Sequence, residues 1–179
     1  MVYLFLADGF EIIEAMAPLD MLTRAGVEVT TVGVTGKTVA ASCGVSVTAD
    51  ITADAFSFYD AEAIILPGGM PGTLNLENSA VVQKAVDRAV DVVIPVCAIC
   101  AAPSVLGHKG LLDGREATAF PGFESALEGA TLSDDYVVTD GNFITARGAG
   151  VCIEFGLAIV SKLRGDDVAE RIRASIQCP

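Results

Sequence analysis

The sequence has no tryptophan, a single histidine and few aromatic residues of any kind, 6% in all. It is also short of cations: 11 Lys+Arg stand against 23 Asp+Glu, a formal net charge of -12. A polyphosphate backbone needs a cationic surface, and single strands need aromatic platforms, so this composition argues against a nucleic-acid binder. No segment approaches the roughly 20 apolar residues needed to span a bilayer. The N-terminal MVYLFLADGFE has no basic region and too short an apolar run for a signal peptide. Five cysteines form an odd, irregularly spaced set without metal-ligand spacing, which points to free thiols in a reducing cytoplasm. There is no GxGxxG and no P-loop, so no nucleotide cofactor and no metal is expected.

What remains is apolar and glycine-rich: 52% hydrophobic residues and 18 glycines in 179. That length buries enough surface for one domain, taken as residues 1–179, without a metal or disulfide staple. Largely apolar runs at 2–6, 61–66 and 91–96 predict buried strands, and 27–34, after the Gly26 stop, reads as the second strand of a βαβ unit. Helical spacing predicts helices over 11–24, 78–90, 153–163 and 166–176, the first interrupted by Pro18. A further helix is expected from Ala101 to about His108 and a short strand at 116–120. Residues 38–48 read as a hairpin-like edge strand covered by Ile51 and Phe56. Asp140-Gly141-Asn142 marks a hairpin between 136–139 and 143–145. Strand, helix and strand alternate without a linker, which predicts an α/β domain with a mostly parallel sheet.

In such sheets ligands bind beyond the carboxyl ends of the strands. The loops there are 7–14, 67–73, 97–103 and 120–123, with 147–150 as a candidate fifth. Cys100 stands in the third, among Ala98, Ala101 and Ala102. Small neighbours suit a sharp strand-to-helix elbow that exposes a nucleophile, and a helix start favours thiolate. A buried core cysteine fits the same position. Glu14 lies in the apolar stretch Ile12-Ile13-Glu14-Ala15-Met16. Buried near another anion it would keep its proton and donate a hydrogen bond; at the surface it would simply suit a helix start, a role that Glu11 fills better. Pro67-Gly68-Gly69 could bring a backbone N–H close to a ligand oxygen, or could be a simple turn. Cys97-Ala98-Ile99-Cys100 has redox spacing, but Cys97 is expected to end a strand rather than open a helix. His108, two turns beyond Cys100, is expected to point away from it, which removes a Cys-His dyad.

LADGFEIIEAMAPLDMLTRAG, ILPGGMPG, the AICAAP elbow at 98–103 and ARGAGVCIEFGLAIV together resemble the ThiJ/PfpI superfamily. The resemblance is to its small branch, which holds the parkinsonism-associated protein and the YajL-like proteins, and it spans nearly the whole chain. It implies a flavodoxin-like three-layer α/β sandwich with a nucleophile elbow, and a homodimer. It places the family's nucleophile on Cys100 and its protonated glutamate on Glu14. The backbone donors to the oxyanion fall on Gly69 and Ala101, and an arginine that lies near the dimer interface and pocket in relatives falls on Arg24. The histidine that several members carry near the cysteine falls on Phe120, as in the YajL-like proteins, so an imidazole base is not expected.

Two functions follow from the resemblance. One is a cofactor-free glyoxalase or deglycase acting on α-oxoaldehydes such as methylglyoxal, with damaged proteins as further partners. The other is a peroxide-responsive stress sensor or redox-linked chaperone that uses the same cysteine. A third, an acidic scaffold with an idle cysteine, remains open.

Overall fold

A computed structural model describes residues 1–179. Seven strands form its centre: β1 (Val2–Leu6), β2 (Val29–Gly33), β5 (Ile51–Thr52), β6 (Ala63–Leu66), β7 (Val96–Ile99), β10 (Val137–Asp140) and β11 (Phe143–Ala146). They make one sheet in the order β10-β11-β7-β6-β1-β2-β5. All neighbouring pairs are parallel except β10–β11, the hairpin marked by Asp140-Gly141-Asn142. The central strands β1, β6 and β7 are apolar at every position because both of their faces are covered. Leu4, Ile65, Cys97 and Ile144 face α1 (Ile12–Arg24), α5 (Cys152–Arg164) and α6 (Asp166–Ser175). Phe5, Ile64, Ala98 and Phe143 face α2 (Gly72–Glu77), α3 (Ala80–Asp91) and α4 (Pro103–Gly107). The result is the expected three-layer flavodoxin-like sandwich.

Several boundaries differ from expectation. The strand expected at 91–96 runs instead over 96–99. Residues 92–95 close α3: Val93 N–H donates to Val90 O and Ile94 N–H to Ala89 O, with Val93 in the left-handed region at φ 58°. That is the paired-bond ending usually built on glycine, here built on valine. The strand begins where Val96 can pair with both Ile64 and Phe143. The helix expected from Ala101 starts at Pro103, whose fixed φ suits a first helical position. Within the expected loop 67–73, Gly72 already opens the short helix α2. Residues 38–48 are not a sheet edge. They form a separate hairpin, β3 (Thr38–Ala40) and β4 (Ser46–Thr48), laid over the β1–α1 loop through Gly9 N–H to Ala40 O and Ala40 N–H to Asp8 Oδ1. Ile51 supplies the edge strand itself, and Phe56 packs edge-on against Tyr3 and Phe5. The strand expected at 116–120 is shortened to β8 (Glu116–Ala117), which pairs in parallel with β9 (Thr131–Leu132).

Candidate active site

β7 ends at Ile99, and the chain turns at once. Cys100 N–H still donates to Ala146 O at 2.8 Å, the last bond shared with β11. Cys100 itself sits at φ 65°, a left-handed conformation that costs a non-glycine residue about 1–2 kcal/mol. The elbow anticipated from small neighbours is therefore present, with the cysteine at its strained apex. Cys100 precedes α4 by two residues, and α4 is only five residues long, so a helix dipole contributes little to its ionisation.

Glu14 reaches the elbow from the first turn of α1 and is fully buried. Its Oε2 accepts a hydrogen bond from Gly68 N–H at 2.9 Å. Its Oε1 has no partner in hydrogen-bonding geometry. Burial pushes the Glu14 carboxyl up to about 7, while the neighbouring Cys100 thiol and the Gly68 N–H hold it back and the charge of Glu11 adds to the rise. Burial and an ionised Glu14 push the Cys100 thiol up to about 12, against the N–H groups of Ala101 and Gly69, which bond towards the sulfur. Beside an ionised Glu14, Cys100 is thus a thiol. A protonated Glu14 removes its own charge from the balance and offers the sulfur a donor, so the pair carries at most one negative charge near neutral pH.

Gly68 and Gly69 are needed at this spot for different reasons. A Cβ on Gly68 would lie 2.7 Å from both Cys100 Cβ and Glu14 Oε2. Gly69 is at φ 89°, and a Cβ there would lie 2.5 Å from Gly9 O. The 67–73 loop is thereby pressed against both the elbow and the β1–α1 loop.

The structure brings Cys100, Glu14, Gly69 and Ala101 together. Phe120 stands at the rim, 46% exposed, with its N–H donating to Cys100 O at 2.8 Å. It lines an open cleft of about 600 Å³ with Tyr136, Arg147 and Gly148. The Cβ position of Gly148 lies 3.1 Å from the Phe120 ring and 3.8 Å from Cys100 Sγ, so Gly148 stands between the cleft and the elbow. Arg24 does not join the site. It lies at the opposite end of α1 from Glu14, ten residues or about 15 Å along the axis, exposed and paired with Asp20 at 2.9 Å. A helix that delivers Glu14 from its first turn must point its last turn away.

Cys97 is buried in β7 on the face covered by α1, α5 and α6, and burial pushes its thiol up strongly. His108 pairs with Glu77 at 2.5 Å, away from Cys100 as anticipated. Three features of the site escape sequence reasoning. Gly68 reads in the sequence only as half of a glycine pair. Arg147, whose guanidinium lies 5.4 Å from the Tyr136 ring centre, shapes the cleft wall. Cys152 stands at the start of α5 near the same carboxylate. A basic residue in a glycine turn is the one available signal, and it points to Arg147.

The profile of the DJ-1/PfpI family matches residues 1–162. The protein DJ-1 homolog B of Arabidopsis thaliana is 38% identical over 162 residues, 89% of this chain, which spans only 37% of that plant protein. The Parkinson disease protein 7 homolog of Danio rerio is 35% identical over 176 residues, 96% of this chain and 93% of its own length. A Pyrococcus horikoshii protein named as a deglycase is 33% identical over 146 residues, 79% of this chain and 86% of its own. Among solved structures, oxidized DJ-1 of Toxoplasma gondii superposes with a TM-score of 0.94 at 32% identity, covering 98% of this chain and 97% of its own.

Proposed function

The chain belongs to the DJ-1/PfpI family, and from that premise we propose that it is a cofactor-free cysteine enzyme acting on α-oxoaldehydes such as methylglyoxal, as a glyoxalase or deglycase. The observation that carries this reading is the strained Cys100 beside a buried carboxyl whose pKa is raised to about 7. Near neutral pH such a carboxyl is available in both forms, which is what a proton shuttle requires. The relative named as a deglycase supports the same class of chemistry.

In the proposed reaction, ionised Glu14 takes the Cys100 proton as the sulfur adds to the aldehyde carbon. The developing oxyanion is held by the N–H groups of Gly69 and Ala101 and receives that proton, giving a hemithioacetal. Glu14 then removes the proton from the former aldehyde carbon and returns it to the adjacent ketone carbon, while the hemithioacetal hydroxyl proton passes to the ketone oxygen. The first carbon is oxidised and the second reduced within one molecule, leaving a lactoyl thioester on Cys100. Water hydrolyses the thioester to lactate and restores the thiol. Phe120 supplies an apolar wall at the mouth and no base. Arg24 has no part in the steps within one chain.

Lactate formation from methylglyoxal by protein cleared of other glyoxalases tests the proposal. Cys100→Ser and Glu14→Gln should each lose at least about a hundredfold in kcat/KM, since Gln cannot carry a proton. Turnover retained in either variant would refute the assigned roles.

A second reading is favoured by one observation: the Gly69 and Ala101 N–H groups favour the anionic form of the Cys100 sulfur. They and a protonated Glu14 would hold the oxygens of an oxidised cysteine, as a peroxide sensor or redox-linked chaperone requires. Both readings take a cytoplasmic homodimer as the working form. Ile13 and Ile153, 48% and 38% exposed at the adjoining starts of α1 and α5, are the apolar surface a second copy would cover.

A further inference from the structure

Five cysteines are present, and the reaction uses one. Cys43 is exposed on the β3–β4 hairpin and Cys178 lies next to the C-terminus. Cys97 and Cys100 are separated by an extended strand of three steps, about 10 Å, well beyond the usual Cα separation of a disulfide. Cys152 is different.

α1 follows β1 and α5 follows β11, and these strands point the same way through β6 and β7. The two helices therefore start at the same edge of the sheet and run side by side. They touch closely at Gly156, whose Cβ position is 2.9 Å from Pro18 Cα and 2.9 Å from Met21 Cγ. One turn earlier on each helix stand Cys152 and Glu14. Glu14 is the residue that reaches Cys100, and Cys152 stands level with it on the neighbouring helix.

The 147–150 turn approaches both cysteines from the other direction as well. β7 and β11 are paired through Ile99 and Ala146, so Cys100 and Arg147 leave the sheet together. The turn that follows lays Gly148 against Cys100 Sγ, at 3.8 Å from its Cβ position. Its next residue, Ala149, offers its carbonyl to the Cys152 thiol at 2.9 Å. Two consecutive residues of one short turn thus lie next to Cys100 Sγ and bond Cys152 Sγ in succession. Burial pushes the Cys152 thiol up to about 12, and the charges of Glu14, then Glu11, then Cys100 add to the rise.

We propose that Cys152 is the resolving cysteine for Cys100. A peroxide oxidises Cys100 to the sulfenic acid; Glu14 takes the thiol proton and passes it to the departing hydroxide, which leaves as water. The Cys152 sulfur then attacks the Cys100 sulfur. A sulfur–sulfur bond forms, the sulfenic S–O bond breaks, and the Cys152 proton leaves with the hydroxide as a second water. Two thiols lose two electrons and one peroxide gains them. The disulfide diverts Cys100 from the irreversible sulfinic acid and keeps the site recoverable by a dithiol reductant. Closing the bond draws the 148–150 turn inward; Gly150 has open space on its side-chain face. The proposal rests on Cys100 being the reactive thiol assigned above, and adds a second residue to its oxidation chemistry.

The test is two equivalents of hydrogen peroxide on the full chain, enough for either the disulfide or the sulfinate, followed by tryptic mapping without reductant. Wild type should lose two hydrogens in intact mass and yield a linked pair of peptides, 89–109 with 148–162, joined through Cys100 and Cys152. Dithiothreitol should reverse it. Cys152→Ser should instead accumulate Cys100 sulfinate, at a level at least about tenfold above wild type. The linked peptide is read on the unmodified protein, so the result does not depend on how the variant folds. Equal sulfinate in both proteins without a linked peptide would overturn the resolving role while leaving Cys100 reactive. Oxidation that bypasses Cys100 in both would overturn this proposal and the reactive-cysteine reading together.

Discussion

Replacing Glu14 by Gln should change how stability depends on pH, by an amount fixed by the site. The variant keeps an oxygen for Gly68 N–H and nearly the same shape, but cannot ionise. In the folded wild type the carboxyl titrates at about 7 against an ordinary 4.5, because burial penalises its charge. Between those values the folded state holds a proton that the unfolded chain has released, so stability falls as pH rises through the window. It is flat below 4.5 and again above about 7. At about 1.4 kcal/mol per pH unit the loss is about 3 kcal/mol. The amide side chain of the variant escapes it. Urea unfolding at about pH 4.5, 6 and 8 should therefore show the variant gaining about 3 kcal/mol on wild type between the first and last. The carboxyls of Asp50, Glu62 and Asp140 are held below their ordinary values by hydrogen bonds and ion pairs. They lose stability only as pH falls through those lower values, equally in both proteins, and cancel in the difference. A difference that stays constant with pH would refute the raised carboxyl, and with it the shared charge on which the proton shuttle depends.

Val93→Gly should stabilise the protein by about 0.5–1 kcal/mol in urea unfolding, since glycine removes the left-handed strain at φ 58° and costs less in chain entropy than it saves; a destabilised variant would refute the strain. Gly68→Ala should cost about 1–3 kcal/mol and abolish turnover, because its Cβ would lie 2.7 Å from Cys100 Cβ; a stable, active variant would refute the tight packing of loop on elbow. Sedimentation at micromolar concentration should give a dimer, and Ile13→Glu should weaken it at least about tenfold; a monomeric wild type would remove the second copy from the proposal.

Most of the fold is legible in the sequence because burial on both faces writes continuous apolar strands, and single-face burial writes helical spacing. The errors lie where neither pattern applies. Val92, Val93 and Ile94 look like strand, yet they end α3, because valine fills a position where glycine normally signals a helix end. Local pattern cannot say where a strand starts when the start is fixed by pairing with Ile64 and Phe143 on two other strands. α2 has six residues, too few for a period to show, and it follows a glycine-proline run that reads as loop. The hairpin at 38–48 is legible as two strands but not as a cover, since its partners are Asp8 and Gly9, about thirty residues away in sequence.

At the site, what can be read is whatever carries a local cost. A carboxylate inside an apolar stretch costs free energy however the helix is turned, so Glu14 draws notice before any packing is known. Cys100 does so through the alanines that an elbow needs around it. Arg24 misleads because resemblance assigns a residue to a pocket without saying which chain supplies it, and one straight helix cannot place both its ends at one sulfur. Cys152 gives no signal at all. A cysteine at the start of an apolar helix is ordinary by itself, because free cysteine packs like any small apolar residue. Its significance comes from β11 lying beside β7, from α5 running parallel to α1, and from Gly156 letting those helices touch. Each of these is a relation between segments distant in sequence, and only their combination sets a second sulfur beside the carboxyl that serves the first.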